Sequence, residues 1–350
     1  MSRMVMTGQP VAIFGKNGAG KTNILEAISL LSPGRGIRNA KTYDISKKPE
    51  GVGWKIKAIL KNNEQILEVE TFLASGPSRV VKIDEKIQSQ ISLSKSHKIL
   101  WLSPLMDRLW IEGAEGRRKF LDRMTLNFIP DHGSIFIRFQ KCLRQRNRLL
   151  KDKVNDEKWY DVLEEKLSID GANLNKNRLT TIKRIHNALE NLNPVFPKAK
   201  LSLIDIQHLD SSTNSEELKQ TFKENRSKEL SAGRTLVGPH RVDMSALYLE
   251  KNNFVTECST GEQKAILISI ILANAWSLSE FDGVPPILLL DEVTAHLDDN
   301  RRVELYDEIL SLKAQVFMTG TDKKLFDSFG GALDLFEVID NNGVSQIISA

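Results

Sequence analysis

The chain has 350 residues, enough for about two or three domains, and its 41% hydrophobic and 27% charged residues are typical of a globular protein rather than a disordered one. The N-terminal residues show no apolar segment followed by a cleavage site, which predicts a cytoplasmic protein, and the two cysteines, Cys142 and Cys258, predict neither a disulfide framework nor a zinc site. The net charge of +4 permits an anionic partner without requiring one.

The first predicted elements are a strand and a helix joined by a glycine-rich loop. Residues 10–14 are apolar, residues 15–22 match the G-x-x-x-x-G-K-[ST] motif, and residues 23–28 have helical periodicity. In such a loop the glycines let backbone N–H groups point at phosphate oxygens. We expect Lys21 to bind the terminal phosphates of ATP and Thr22 to ligate Mg²⁺. The predicted ATP-binding residues are Gly15, Lys16, Asn17, Gly18, Ala19, Gly20, Lys21, Thr22 and Asn23.

A long middle segment separates this loop from the other motifs. We predict that residues 104–231 form a mostly helical second lobe, and that residues 1–103 and 232–350 form the nucleotide-binding lobe. Helical patterns over 135–153 and 159–192 should pair as a short antiparallel arm.

The first arm helix is predicted to be basic on one face. Seven Lys or Arg residues and one acid lie between Arg138 and Lys153. Such a cluster can neutralise several DNA phosphates, and we expect contacts with the backbone rather than with the bases. A solvated helix surface remains the alternative. The candidate DNA-binding residues are Lys141, Arg144, Arg148 and Lys151.

A Ser-x-Gly turn at Ser259 precedes an apolar stretch over 265–276. Such a turn at a helix N-terminus can bind an anion, although it is also a common helix cap. The apolar stretch is shorter than the roughly 20 residues that a membrane span needs, so we predict a buried helix and no membrane attachment.

A buried strand followed by two carboxylates is predicted at residues 286–292. Four consecutive apolar residues suit a central parallel strand, and Asp291 and Glu292 follow it directly. At this position Asp291 would hold Mg²⁺ through water, and Glu292 would act as the catalytic base that polarises the attacking water. An Asp-Glu pair in an exposed loop is the alternative.

These motifs, in this order, resemble those of ABC-type ATPases. Residues 294–298 resemble the D-loop of that class, with Asp298 as its acidic residue. The resemblance implies an α/β fold, a P-loop ABC-type ATPase head with a mostly helical second lobe bearing a short antiparallel helical arm. It also implies an ATP-dependent homodimer, in which Ser259, Gly261 and Glu262 contact the ATP held by the P-loop of the other subunit.

Within this class the chain is similar to the RecF family of recombination mediators. Residues 259–263 resemble the signature loop of ABC-type ATPases. The insertion between the P-loop and this signature loop is longer than in transporter subunits and shorter than in SMC heads. The segments that carry the resemblance are 21–28, 32–38, 116–122, 143–147 and 238–241. The resemblance implies a protein of recombinational repair and replication restart that binds DNA at single-strand gaps, helps load RecA with RecR and RecO, and contributes to the SOS response.

Two departures from related proteins affect the expected activity. ABC transporters carry a switch histidine after the strand that follows Asp-Glu, whereas here residues 314–318 lead into Thr319-Gly320-Thr321, which predicts slow hydrolysis with DNA release. RecF proteins also usually open with a strand and an Asn-Phe-Arg segment that precede the first residues of this sequence. That segment would ordinarily lie near the adenine, so the affinity for ATP is left open.

Two other functions are alternatives for a chain with these motifs. A transport-coupled ATPase subunit that docks on a membrane protein would have a short insertion, and the insertion here is long. A binding-only scaffold without hydrolysis also fits the motifs, and it differs from an ATPase in whether Glu292 contributes to turnover.

Overall fold

The computed structural model describes residues 2–46, 53–62, 65–73, 78–192, 195–205, 214–283, 285–293, 299–312, 314–329, 331–341 and 343–350. The chain divides into two compact units. The first comprises Met1–Arg108, Asn191–Pro197 and Ser259–Ala350, and the second comprises Leu109–Glu190 and Lys198–Cys258.

Strands and helices are numbered along the chain. The strands are β1 (Val11–Phe14), β2 (Lys55–Asn62), β3 (Gln65–Phe72), β4 (Val80–Ile83), β5 (Lys86–Gln88), β6 (Ile99–Leu102), β7 (Ala199–Asp205), β8 (Val242–Tyr248), β9 (Asn253–Phe254), β10 (Ile287–Leu290), β11 (Val316–Gly320), β12 (Asp334–Asn341) and β13 (Val344–Ser349). The helices are α1 (Lys21–Ser29), α2 (Leu93–Ser96), α3 (Ala114–Phe128), α4 (Asp131–Lys151), α5 (Glu157–Leu189), α6 (Ser215–Ala232), α7 (Thr260–Asp282) and α8 (Asp299–Ser311).

The core of the first unit is a six-stranded sheet in the order β13-β12-β1-β11-β10-β6. Only β13 pairs antiparallel, with β12, while the other pairs are parallel. The apolar runs of β1 and β10 are buried, as expected for strands covered on both faces. This order brings the carboxyl ends of β1, β11 and β10 side by side, although the chain segments between them are long.

An antiparallel sheet of β2, β3, β4 and β5 belongs to the same unit. Successive side chains of each strand point to opposite faces of the sheet. On one face, Val69 and Val81 pack in the core cluster that also contains Val11 and Ile13 of β1. The sheet thereby supports the P-loop strand.

Helix α7 is the apolar helix predicted from the sequence, but it is longer than the predicted stretch. It begins at Thr260 and ends at Asp282, and among the described residues it is the helix whose length and hydropathy would allow a membrane span. In the structure 78% of that apolar window is buried. We therefore assign α7 as a core helix of the first unit.

The second unit contains the predicted antiparallel arm, made of α4 and α5. Arg138 of α4 pairs with Asp170 of α5 at 2.7 Å, and Arg146 pairs with Glu164 at 2.9 Å, so the two helices run in opposite directions. Arg146 is fully buried and also binds Glu229 of α6. This buried ion network ties the arm to α6.

The second boundary between the lobes differs from the predicted one. The prediction returned the chain to the ATPase lobe at residue 232, whereas β8 pairs along its length with β7, and β9 pairs with β8. These pairings keep residues 198–258 in the second unit, so the return lies at Ser259. The first boundary lies at Leu109, close to the predicted residue 104.

Candidate nucleotide site

The P-loop between β1 and α1 follows a path that only glycine adopts readily. Gly15, Gly18 and Gly20 have φ values of 148°, 84° and 108°. A Cβ atom on Gly15 would lie 2.3 Å from the carbonyl oxygen of Val338 in β12. The glycines of the motif are therefore required by backbone conformation and by the close approach of β12.

The loop borders a cavity of about 220 Å³ in the first unit. Its walls bring together predicted P-loop residues, the predicted base and one arginine. The lining residues are Asn17, Gly18, Gly20, Lys21, Thr22, Asn23, Arg38 and Glu292.

Lys21 is buried beneath the loop. Its Nζ donates to the carbonyl oxygens of Gly15 at 2.7 Å and Lys16 at 3.0 Å. Burial lowers the pKa of Lys21, and the negative charges of Glu292 and Asp291 oppose that shift. The ammonium group is thus held by the loop itself, next to both carboxylates.

The P-loop meets the strand end of β10 through one hydrogen bond. Thr22 Oγ1 donates to Asp291 Oδ1 at 3.2 Å, and Asp291 is 4% exposed. Asp291 Oδ1 also accepts from Thr319 Oγ1 of β11 at 2.7 Å, and the same hydroxyl accepts from the backbone N–H of Glu292 at 2.9 Å. The two motifs that the sequence placed far apart therefore converge on one carboxylate.

These residues fit ATP with Mg²⁺. The loop offers backbone N–H groups, a lysine and the start of α1, which together suit phosphates. Among the described residues no group of three or more His, Cys, Asp or Glu side chains could hold a metal. Mg²⁺ does not need such a group, because it commonly binds one or two protein oxygens, substrate phosphates and water. Thr22 and Asp291 would supply those protein oxygens.

The remaining predicted P-loop residues have different surroundings. Lys16 and Asn17 are exposed on the loop, whereas Ala19 is 3% exposed and belongs to the core cluster, so its side chain packs and only its backbone can face a ligand. Asn23 Oδ1 accepts from Arg38 Nη1 at 2.7 Å.

Sequence reasoning did not assign Arg38 or Thr319 to the site. Arg38 is fixed by its backbone N–H, which donates to Glu26 Oε2 of α1 at 2.9 Å. In the sequence, Arg38 belongs to segment 32–38, which indicates the family but gives Arg38 no role. For Thr319 the available signal was its place at the end of a buried strand.

The Ser-x-Gly turn forms the N-terminus of α7, and the predicted cap is present. Ser259 and Glu262 form a capping box, in which Ser259 N and Ser259 Oγ each donate to Glu262 Oε2 at 2.9 Å. Gly261 is exposed, and a Cβ atom there would meet nothing within 4 Å. The turn is therefore accessible on the first unit, while Asp298 lies outside the described residues.

The predicted DNA-binding residues all lie on the exposed face of α4. Lys141, Arg144, Arg148 and Lys151 are exposed. Arg148 lies 3.6 Å from Asp152. Of the other members of the basic cluster, Arg146 is buried in the ion network, and Arg138 is exposed but pairs with Asp170 of α5.

Comparison with known proteins decides the family. The RecF/RecN/SMC N-terminal domain matches residues 3–345. The DNA replication and repair protein RecF of Brucella abortus (strain 2308) is 40% identical over 338 residues, which cover 94% of this chain and 88% of that protein. The chain belongs to the RecF family. RecF of Rickettsia felis is 38% identical, over 94% of this chain and 92% of its own length.

Solved RecF structures share the fold. The recombination mediator RecF with ATPrS, assigned to the RecFOR pathway, has a TM-score of 0.81 at 25% identity and covers 97% of this chain and 92% of its own. RecF with ATP has a TM-score of 0.84 at 24% identity, over 99% and 94% of the two chains. An Smc head domain from Pyrococcus furiosus has a TM-score of 0.53 at 16% identity and covers 99% of this chain and 91% of its own. This similarity concerns the fold alone. The predicted ABC-type head is confirmed.

Proposed function

We propose that this chain is an ATP-dependent DNA-binding protein of recombinational repair, in which two heads close around ATP and hold DNA until slow hydrolysis releases it. The observation that carries the proposal is the Thr22–Asp291 hydrogen bond at 3.2 Å, which joins the P-loop to the carboxylate end of β10 in a RecF-family chain. That geometry is suited to Mg²⁺–ATP.

The residues of the site have separate roles in this proposal. Lys21, which now donates to the carbonyls of Gly15 and Lys16, would bind phosphate oxygens, and the Thr22 hydroxyl, which now donates to Asp291, would hold Mg²⁺. Mg²⁺ bound there neutralises charge on the phosphates. Glu292, at the wall of the cavity, accepts the proton of the attacking water.

A second copy of the chain completes the site. Ser259, Gly261 and Glu262 lie at the N-terminus of α7, where Ser259 and Gly261 are exposed and the positive end of the helix dipole favours an anion. In the capping box, the N–H and hydroxyl of Ser259 donate to the Glu262 carboxylate. A γ-phosphate that binds these donors would take the place of that carboxylate as their acceptor. Asp298 follows Glu292 in the proposed D-loop of this interface.

DNA and other proteins are the proposed partners. The exposed lysines and arginines of α4 bind the DNA backbone at single-strand gaps, and the chain acts in the cytoplasm with RecR and RecO in loading RecA and in the SOS response. The RecFOR pathway named for the structural neighbours supports the choice of partners.

The decisive experiment measures mass and DNA affinity together. Light scattering of the purified chain should give a monomer without nucleotide and a dimer with Mg²⁺–ATP, and the dimer should bind gapped DNA more tightly than the monomer. No dimer and no gain in DNA affinity would contradict the proposal.

Glu292→Gln tests the hydrolysis step in the same assay. The amide cannot accept the proton, so turnover should fall by about 100-fold or more while the ATP-bound dimer persists on DNA. Glu280→Gln, an exposed carboxylate on α7, is the control and should behave as the wild type. Equal turnover of the Glu292→Gln and wild-type proteins would indicate a binding-only scaffold.

A further inference from the structure

One buried hydroxyl joins the two acidic residues of the nucleotide site. Thr319 Oγ1 donates to Asp291 Oδ1 at 2.7 Å and accepts from Glu292 N at 2.9 Å. Thr319 is 1% exposed, so solvent is not at hand to replace either bond. The hydroxyl therefore fixes the side chain of one acidic residue and the backbone of the next.

The sheet holds Thr319 at this place. In the parallel pairing, Thr319 lies opposite Ile13 of the P-loop strand, and the preceding Met318 lies opposite Leu290, directly before Asp291. A Cβ atom on Gly320 would lie 2.9 Å from the ring of Phe326, so the strand end is closely packed behind Thr319. Its hydroxyl is thus set by β1, β10 and the packing of the segment after β11.

Glu292 has a backbone conformation that needs such support. Its φ is 53°, in the left-handed region that residues other than glycine uncommonly adopt. Residues persist in this region when the surrounding structure holds them. The bond from Glu292 N to Thr319 is one of the contacts that hold it, and the backbone sets where the carboxylate points.

Asp291 Oδ1 accepts a second hydrogen bond besides the one from Thr319. Asp291 Oδ1 accepts from Thr22 Oγ1 at 3.2 Å, and the proposed mechanism transfers that hydroxyl to Mg²⁺. Once Thr22 has left, Thr319 remains as the hydroxyl donor to Asp291. The orientation of the metal-binding carboxylate then depends on β11 rather than on the P-loop.

We propose that Thr319 is a positioning residue for ATP hydrolysis, which keeps Asp291 aimed at the metal and Glu292 aimed at the attacking water. It needs no contact with ATP to do so. Residues behind a metal site commonly matter in this way, because they orient the groups that touch the metal. The inference rests on the proposed ATPase function.

The test separates turnover from binding in the full-length chain. Thr319→Val keeps the shape but removes the hydroxyl, so kcat should fall about 10- to 100-fold. KM should change by less than about 3-fold, because the P-loop is untouched. As a readout independent of turnover, the Mg²⁺ concentration that gives half-maximal ATP-dependent dimer formation in light scattering should also rise. Thr319→Ser restores the hydroxyl and should restore most of kcat.

Thr125→Val is the matched control. Thr125 is fully buried in α3 of the second unit, where its hydroxyl donates to Leu121 O at 2.9 Å, so this variant also loses one buried hydroxyl. It should keep the wild-type kcat. If Thr319→Val does not fold, Thr319→Ala takes its place with the same expected kinetics.

Two results would overturn the inference while leaving the ATPase proposal intact: a wild-type kcat in Thr319→Val, or a loss in Thr319→Ser as large as in Thr319→Val. A wild-type chain that hydrolyses no ATP would contradict the proposed function, and the role of Thr319 with it.

Discussion

His97 shows how a single partly buried side chain makes the first unit sensitive to acid. Its Nε2 lies 2.7 Å from the carbonyl oxygen of Leu31, which follows α1. A carbonyl only accepts, so the neutral ring carries its proton on Nε2. Burial lowers the pKa of His97 to about 4, and the bond to Leu31 only partly offsets this. The folded chain thus keeps the ring neutral at a pH where an exposed histidine is charged.

This pKa predicts a loss of stability on acidification. The unfolded chain takes up the proton near pH 6.5 and the folded chain near pH 4, so stability is complete above about pH 6.5 and falls as the pH drops towards 4. The contribution of His97 between pH 7 and pH 5 is about 2 kcal/mol. Urea unfolding at the two pH values measures it.

His97→Gln is the comparison for that measurement. Its amide can still donate to Leu31 but does not titrate, so the difference between pH 7 and pH 5 should shrink by about 2 kcal/mol. An unchanged difference would mean that the ring of His97 is already protonated in the folded chain at pH 5.

At this scale the sequence predicted the residues whose chemistry is contained in a local motif. Lys21, Thr22, Asp291 and Glu292 meet in the structure because a strand end and a glycine loop each fix their own residues. Thr319 could not be assigned in that way. The hydrogen-bond partners of a threonine at a strand end depend on which strands lie beside it. The sequence alone does not give that strand order.

The length of α5 illustrates a conflict between local propensity and packing. Glycine weakens a helix, and Gly171 lies in the middle of this one, yet α5 is continuous from Glu157 to Leu189. A Cβ atom on Gly171 would lie 2.8 Å from Leu218 Cδ2 and 3.0 Å from Pro239 Cγ. The glycine lets α6 and the loop before β8 approach the helix closely.

Replacing Gly171 should therefore destabilise the chain, although alanine is the better helix former. We expect Gly171→Ala to lower the free energy of unfolding by about 1–3 kcal/mol through overpacking. Gly116→Ala is the matched control, since its helical Cβ would have Glu112 Oε2 at 3.9 Å as its nearest neighbour. That variant should gain about 0.5 kcal/mol. Chemical denaturation measures the free energy of unfolding of both variants. Equal stabilisation of Gly171→Ala and Gly116→Ala would contradict the packing role of Gly171.

Element identity was predictable where periodicity is long, as in α4, α5 and α7. The ends of elements were less so, because they depend on contacts distant in sequence. Helix α7 extends past the predicted stretch at both ends, where polar residues such as Gln263 and Ser277 are buried together with the apolar ones. The capping box at Ser259 does have a local signal, a glutamate three residues after a serine.

The whole chain carries a net charge of only +4, so DNA binding should depend on where the charges lie. The double variant Lys141→Gln/Arg144→Gln should weaken DNA binding and reduce the slope of log K against log salt by about 2, close to one for each lost phosphate contact. Fluorescence anisotropy at several salt concentrations measures both quantities.

Lys55→Gln/Lys57→Gln removes the same charge from the antiparallel sheet, where both lysines pair with glutamates. Its salt slope should equal that of the wild type. If the two double variants lose affinity equally, the effect comes from net charge and α4 is not the DNA-binding face.

The two-lobe organisation was predicted from the motifs, but its second boundary was not. The second lobe was predicted to end at residue 231, and nothing local indicates that β8 will pair with β7 rather than join the parallel sheet. The boundary is set by the pairing of β7 with β8, two strands that α6 separates in the sequence.

The place of β1 in its sheet also constrains the order of events during synthesis. The P-loop strand is made long before both of its neighbours, β11 and β12, which lie between Val316 and Asn341. A nascent chain that has reached residue 315 therefore contains the P-loop motif without either strand that pairs with β1. The candidate nucleotide site can form only after β12 has been made, whereas the contacts within α4, α5 and α6 become available much earlier.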